Sequence, residues 1–117
     1  MTKRILLVAG IIGILLVSSL AFTGCNLNNE GTIVVRNAST YSGDSNVFVR
    51  IRDSSFNTVD TSYVSRNNTV SFTLPVGSYD IQVVDGLNIT WTSAGWISLA
   101  KNETRRYKFT GTSVIAD

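Results

Sequence analysis

From Thr32 onward apolar and polar residues alternate with a period of two, and no stretch beyond Cys25 carries apolar residues at helical spacing. Alternation puts successive side chains on opposite faces of a strand, so each run offers one face to a core and one to water. Ile33 and Val35 oppose Thr32 and Arg36, and Val47, Val49 and Ile51 oppose Arg50 and Arg52. Val70, Phe72 and Leu74 oppose Thr69, Ser71 and Thr73, while Tyr79, Ile81 and Val83 oppose Ser78, Asp80 and Gln82. Tyr107 and Phe109 oppose Arg106 and Lys108, and shorter runs at 58–64, 89–94, 96–99 and 113–116 are further candidates. Turn residues fall between the runs. Asn67-Asn68 and Asp85-Gly86 tolerate positive φ and are each expected to close a hairpin. Pro75 cannot sit inside a central strand, and Lys101-Asn102-Glu103 and Gly111 mark two more breaks. The pattern predicts an all-β domain over 32–117: a single two-layer antiparallel β-sandwich of roughly seven or eight short strands, near the size of an immunoglobulin-like domain.

The first 24 residues follow a different rule. Lys3 and Arg4 precede an almost unbroken apolar run from Ile5 to Phe22, the layout of a helical secretory signal segment. The run ends in Leu20-Ala21-Phe22-Thr23-Gly24-Cys25, with the only Cys of the chain where the pattern stops. This resembles the lipobox of bacterial lipoproteins. The resemblance implies cleavage before Cys25, a diacylglycerol on its thiol and acylation (palmitate among the acyl chains) of its new amine. Gly24 and Thr23 match the small residues of that motif, whereas Phe22 stands where Leu is usual. Two other readings fit the same residues. Ordinary cleavage after Ala21 would leave Cys25 a free thiol, and the run of 18 residues would also serve as an uncleaved anchor. On the lipoprotein reading, residues 1–24 are the signal peptide and 25–31 a lipidated tether reaching about 20 Å when extended. That would hold the domain close to the membrane of the bacterial cell envelope. Asn26 follows the Cys where an Asp retains some enteric lipoproteins in the inner membrane, so the outer membrane or cell surface is the expected site.

The address also accounts for the charge. The whole chain is formally +2, but Lys3 and Arg4 supply that excess and all eight acids lie beyond Cys25, so the remainder is neutral. A neutral domain gives no reason to expect a nucleic-acid partner. The group Lys101, Arg105, Arg106 and Lys108 reads as a solvated strand face in preference to a polyanion site.

The segment Phe72-Thr73-Leu74-Pro75-Val76-Gly77-Ser78-Tyr79-Asp80-Ile81-Gln82-Val83-Val84-Asp85 resembles the turn-and-strand pattern of carboxypeptidase-regulatory-like, PEGA and other prealbumin-like sandwich modules. In them an apolar strand meets a Gly turn, then an aromatic, then alternating Val or Ile. The resemblance covers about 14 residues; it implies a fold, and modules that are mostly accessory, binding or spacer domains. Gly77 would allow the turn and Tyr79 would pack across the sandwich with its hydroxyl at the rim.

Little here points to catalysis. The chain has no His and one Cys, so nucleophile–His pairs and His- or Cys-based metal sites have no residues to build them. Asp44, Asp53, Asp60, Asp80 and Asp85 are scattered, mostly beside Gly or Ser, and read as turn residues or partners of Arg50 and Arg52. The expectation is therefore no enzyme, no cofactor and no metal. The aromatics carry the sharper expectation. Ile97 and Leu99 claim an inner face, which leaves Trp96 pointing outward or into the rim, and Tyr41 lies in the polar stretch 39–46, while Trp91 shares parity with Ile89 and reads as core. Trp96 and Tyr41 are the candidate contacts for a polysaccharide or protein partner. Pairing through a sheet edge, as an accessory subunit of an envelope complex, is the alternative.

Overall fold

The computed structural model describes residues 29–117, which form nine strands in two packed sheets. In chain order these are β1 (Glu30–Asn37), β2 (Asn46–Asp53), β3 (Thr58–Ser65), β4 (Thr69–Pro75), β5 (Gly77–Val84), β6 (Thr90–Thr92), β7 (Ile97–Leu99), β8 (Thr104–Phe109) and β9 (Val114–Ala116). A 3-10 turn at Ser42–Asp44 lies between β1 and β2. The signal segment 1–24, Cys25 and the first tether residues lie outside the described residues. β1 begins at Glu30, so Glu30 and Gly31 are part of the strand.

One sheet has the order β9-β8-β1-β4; the other has β3-β2-β5-β6, with β7 pairing β5 beside β6. The alternating apolar residues meet between them. Ile33, Val35, Phe72, Leu74 and Phe109 from the first sheet pack on Val49, Ile51, Tyr79, Ile81 and Val83 from the second. Fully burying an aliphatic or aromatic side chain contributes about 1.5–3 kcal/mol, so these faces dominate the stability.

Three details depart from the sequence expectation. The sandwich is not purely antiparallel, because β8 runs parallel to β1, with Thr32 opposite Thr104 and Asn37 opposite Phe109. Both strands leave the same end of the sandwich, and alternation encodes faces but not partners. There are nine strands because every one of the nine alternating runs forms one, the stretch after Ile89 giving two short strands along one edge of β5. Ser93 bridges the gap between them: its N–H donates to the Ile81 carbonyl at 2.9 Å, and its hydroxyl accepts the Ile81 N–H at 3.0 Å. Finally, Asn67-Asn68 does not close a hairpin. β3 and β4 lie in different sheets, so this turn arches across the sandwich, although Asn67 does take φ +65°. Asp85-Gly86 does open a hairpin, between β5 and β6, but the positive φ falls on Asn88.

Pro75 closes β4, an edge strand, where no neighbour needs its missing N–H. The chain then crosses to the other sheet, and the buried Tyr79 donates its hydroxyl back to the Pro75 carbonyl at 2.6 Å. Burial, with the nearby Asp53 charge, pushes the Tyr79 phenol above its ordinary value.

The strand directions define two ends. At the first, the Val76 N–H donates to the Asn29 carbonyl and the Asn102 N–H to the Glu30 carbonyl. The Asp53–Asn57 turn lies at the same end. At the other end lie the segments 38–45, 66–68, 85–89 and 110–113, joined by bonds from Ala38 N–H to Phe109 O and from Arg66 N–H to Ser45 O. β1 alone separates the ends by about 25 Å at strand rise.

Candidate functional site

The end remote from Glu30 is built on a buried polar network. Asn37 continues the inward parity of Ile33 and Val35 and is fully buried. Its amide donates to the carbonyls of Asp44 at 2.9 Å and Val64 at 3.2 Å, and its Oδ1 accepts the Ser39 N–H at 3.1 Å. Ser39, also buried, donates its hydroxyl to Asp44 Oδ2. Asp44 is 3% exposed, and its Oδ1 accepts the Gly86 N–H at 2.9 Å. One carboxylate thereby ties the 38–45 segment to the 85–89 loop. Gly86 is required by this approach: a Cβ there would overlap the Gly43 carbonyl. The Arg66 guanidinium completes the frame, donating to the carbonyls of Ser39 and Tyr41.

On that frame stands a largely apolar cavity of about 510 Å³. Tyr41, Leu87, Ile89 and Trp91 form its walls, and the acidic residues Asp44 and Asp85 belong to the lining. Tyr41, Leu87 and Ile89 are exposed, while Trp91 is half-buried with one side on the core. Gly111 backs Tyr41. It has φ +101°, and a Cβ there would lie 3.1 Å from the tyrosine ring. Asp85 shapes the loop as an Asx turn, its Oδ1 accepting the N–H groups of Leu87 and Ile89 at 2.9 Å each. Its Oδ2 accepts Trp91 Nε1–H at 2.9 Å, which sets the angle of the indole. Burial opposes ionisation of Asp85, but the bonds from Trp91, Ile89 and Leu87 outweigh it and hold the carboxyl below its ordinary range. No Arg or Lys pairs with Asp44 or Asp85 among the described residues; the ion pairs there are Arg36–Asp117, Arg52–Asp80 and Arg105–Glu103.

The two aromatics picked out from the sequence are not brought together. Tyr41 lines the cavity, whereas Trp96 precedes Ile97, which pairs with Tyr79 in the half of β5 nearer Glu30. Trp96 does point outward, 47% exposed, with its ring 5.3 Å from that of Phe56. Arg52 lies over the Phe56 ring, 5.0 Å from its centroid, and forms a two-pronged ion pair with the buried Asp80. The half-buried Phe48 and the exposed Tyr63 make a second aromatic pair further along the same sheet face, with ring centroids 5.0 Å apart. Trp91 was expected in the core; it packs against the core on one side only and presents the other to the cavity. Asn37, Asp44 and Leu87 were missed as parts of this end. The continued parity from Val35 to Asn37 was the one available signal for the first.

Cys25 lies outside the described residues. Among those described, no group of three or more His, Cys, Asp or Glu is placed to hold a metal ion. No family model and no curated protein matches the sequence. Among solved structures, the chain is similar to one titled "The Bacillus anthracis TIE protein", with TM-score 0.54 and 15% identity. The match covers 69% of this chain but 16% of that one, so the chain spans a small part of its neighbour's length. At that identity the likeness speaks for the β-rich fold alone.

Proposed function

We propose that this chain is a lipid-anchored protein of the bacterial cell envelope, and that its β-sandwich is a non-catalytic binding module. Its contact surface on this reading is the loop end remote from Glu30. The observation that carries the proposal is the placement of the two ends. The lipobox-like residues Leu20 to Cys25 lead through a few tether residues to Glu30, while the cavity of Tyr41 and Trp91 opens at the other end of the strands. A lipid on Cys25 would hold the first end at the membrane and present the second outward. An exposed apolar cavity rimmed by Tyr, Leu and Ile is what a recognition surface offers. Grouping with the prealbumin-like modules is supported by the Phe72–Asp85 segment, which crosses between sheets and buries Tyr79 as that pattern requires.

The test has two parts. Labelled palmitate is incorporated into the wild-type chain and not into Cys25→Ala, which moves from the membrane to the soluble fraction. Tyr41→Ala with Leu87→Ala abolishes retention on envelope polysaccharide or protein fractions while leaving the melting temperature unchanged. Unaltered fractionation of Cys25→Ala would sink the anchor, and unaltered retention would sink the binding surface.

A second reading is favoured by the outer face of the five-stranded sheet. Among the described residues β3 is an edge strand of eight residues; it carries Tyr63 at 67% exposure, and Phe56 of the Phe56–Trp96 pair lies in the turn just before it. An accessory subunit would pair through that edge.

A further inference from the structure

We infer that the cavity between Tyr41 and Trp91 takes an organic ammonium group: a primary or quaternary alkylammonium carried on an apolar stem. The inference rests on the reading of this end as the binding surface and names the chemistry it selects. Its basis is the pairing of an apolar, aromatic-walled cavity with two carboxylates that no Lys or Arg among the described residues pairs with. Tyr41 and Trp91 offer aromatic surface to a cation, and Leu87 and Ile89 remove water from the methylenes that carry it.

Asp44 and Asp85 provide the charge complement. Each spends its oxygens on the protein's own donors: Ser39 and Gly86 on Asp44, and Leu87, Ile89 and Trp91 on Asp85. These neutral donors fix both carboxylates without cancelling their charge. Arg66 makes no ion pair with either of them, its guanidinium being turned to the Ser39 and Tyr41 carbonyls. Asp85 is held in its ionised form by the bonds it accepts. An anionic ligand would meet only like charge in this lining, and a neutral one would leave the carboxylates without a counter-charge.

Two sources carry this chemistry, the side chain of a lysine in a protein and the quaternary ammonium of a choline-type headgroup. The full chain in maltoside micelles separates them. Trp96→Phe leaves Trp91 as the sole tryptophan, so its fluorescence reads the cavity directly. The probes are N-acetyl-lysine methylamide and choline, each beside its neutral isostere, the N-acetyl methylamide of 2-aminoheptanoic acid and 3,3-dimethylbutanol. The expected result is a saturable change in Trp91 emission with at least one cationic probe, its affinity falling with added salt. The matched neutral probe binds at least about tenfold more weakly.

Asp44→Asn keeps both hydrogen bonds if the Ser39 hydroxyl reverses to accept from the new amide. It is expected to weaken the cation about tenfold and leave the neutral probe unchanged. Should Asp44→Asn fail to fold, the salt dependence in the native chain and Asp85→Asn carry the same test. Equal binding of cation and isostere overturns the inference and leaves the surface a binding site for apolar groups. Silence from all four probes overturns the inference as well, and crosslinking in cells then decides separately whether this end binds anything.

Discussion

Replacing Asn37 by Ala removes the centre of the polar network under the cavity, and the structure sets the size of the loss. The side chain is fully buried and makes three hydrogen bonds, to Asp44 O, Val64 O and Ser39 N–H. Each net bond contributes about 1 kcal/mol, and stranding a buried carbonyl costs about 1–3 kcal/mol. With two carbonyls and one N–H left behind, Asn37→Ala should cost about 3–5 kcal/mol. For a domain of this size that lowers the melting temperature by at least about 12 °C. Urea denaturation of the full chain measures it as a fall in midpoint at unchanged slope. Tyr41→Ala on the exposed side of the same segment should stay within about 0.5 kcal/mol of wild type. A loss under about 1 kcal/mol for Asn37→Ala would refute the reasoning, because it would mean that the network does not organise this end.

Other consequences are equally direct. The Tyr79 phenol is raised by burial, so the fold favours its protonated form; that stability is full below the unfolded value near pH 10 and is lost as pH rises through the folded one. Tyr79→Phe should remove this alkaline step in a stability-versus-pH series, at a cost near neutrality of about 1 kcal/mol for the lost bond to Pro75. Asp85 and Asp117 are held low, the latter by its bonds to Arg36, so their contribution is present above about pH 4 and disappears as pH falls through the folded values. Asp85→Asn should flatten that acid limb and shift Trp91 emission. Gly86→Ala must separate the 85–89 loop from Gly43, and amide exchange at Gly86 should speed up by about tenfold or more while β2 and β5 stay protected. Trp96→Ala should leave binding at the remote end unchanged, as a retention assay would register.

Much of the fold was legible because burial is written in parity. Ile33, Val49, Phe72, Ile81 and Phe109 each sit in an alternating run, and each is buried as the run requires. The outward turn of Trp96 follows from the same rule applied to Ile97 and Leu99. Partner choice was not legible, since the parallel contact of β1 with β8 depends on which ends the loops return to. The cavity was half legible: Tyr41 was found from its polar surroundings, but the buried Asn37 and Asp44 act through hydrogen bonds to segments far away in the chain, Val64 and Gly86, and Trp91 through a bond to Asp85 within its own hairpin. A polar residue that keeps core parity, as Asn37 does, is the local sign of such a network. Phe56 at φ +64° carried no sign at all, because nothing local marks an aromatic for a left-handed turn.

The account's central claim is that the end remote from Glu30 is the one that engages a partner. Photo-crosslinking in intact cells tests it most directly, with a benzophenone amino acid placed at Tyr41 or Leu87 and, for comparison, at Tyr63 or Val76. All four positions are exposed. The account predicts mass-shifted adducts from positions 41 and 87 and none from 63 or 76. Adducts confined to 63, on the outer sheet face beside the free β3 edge, would contradict it.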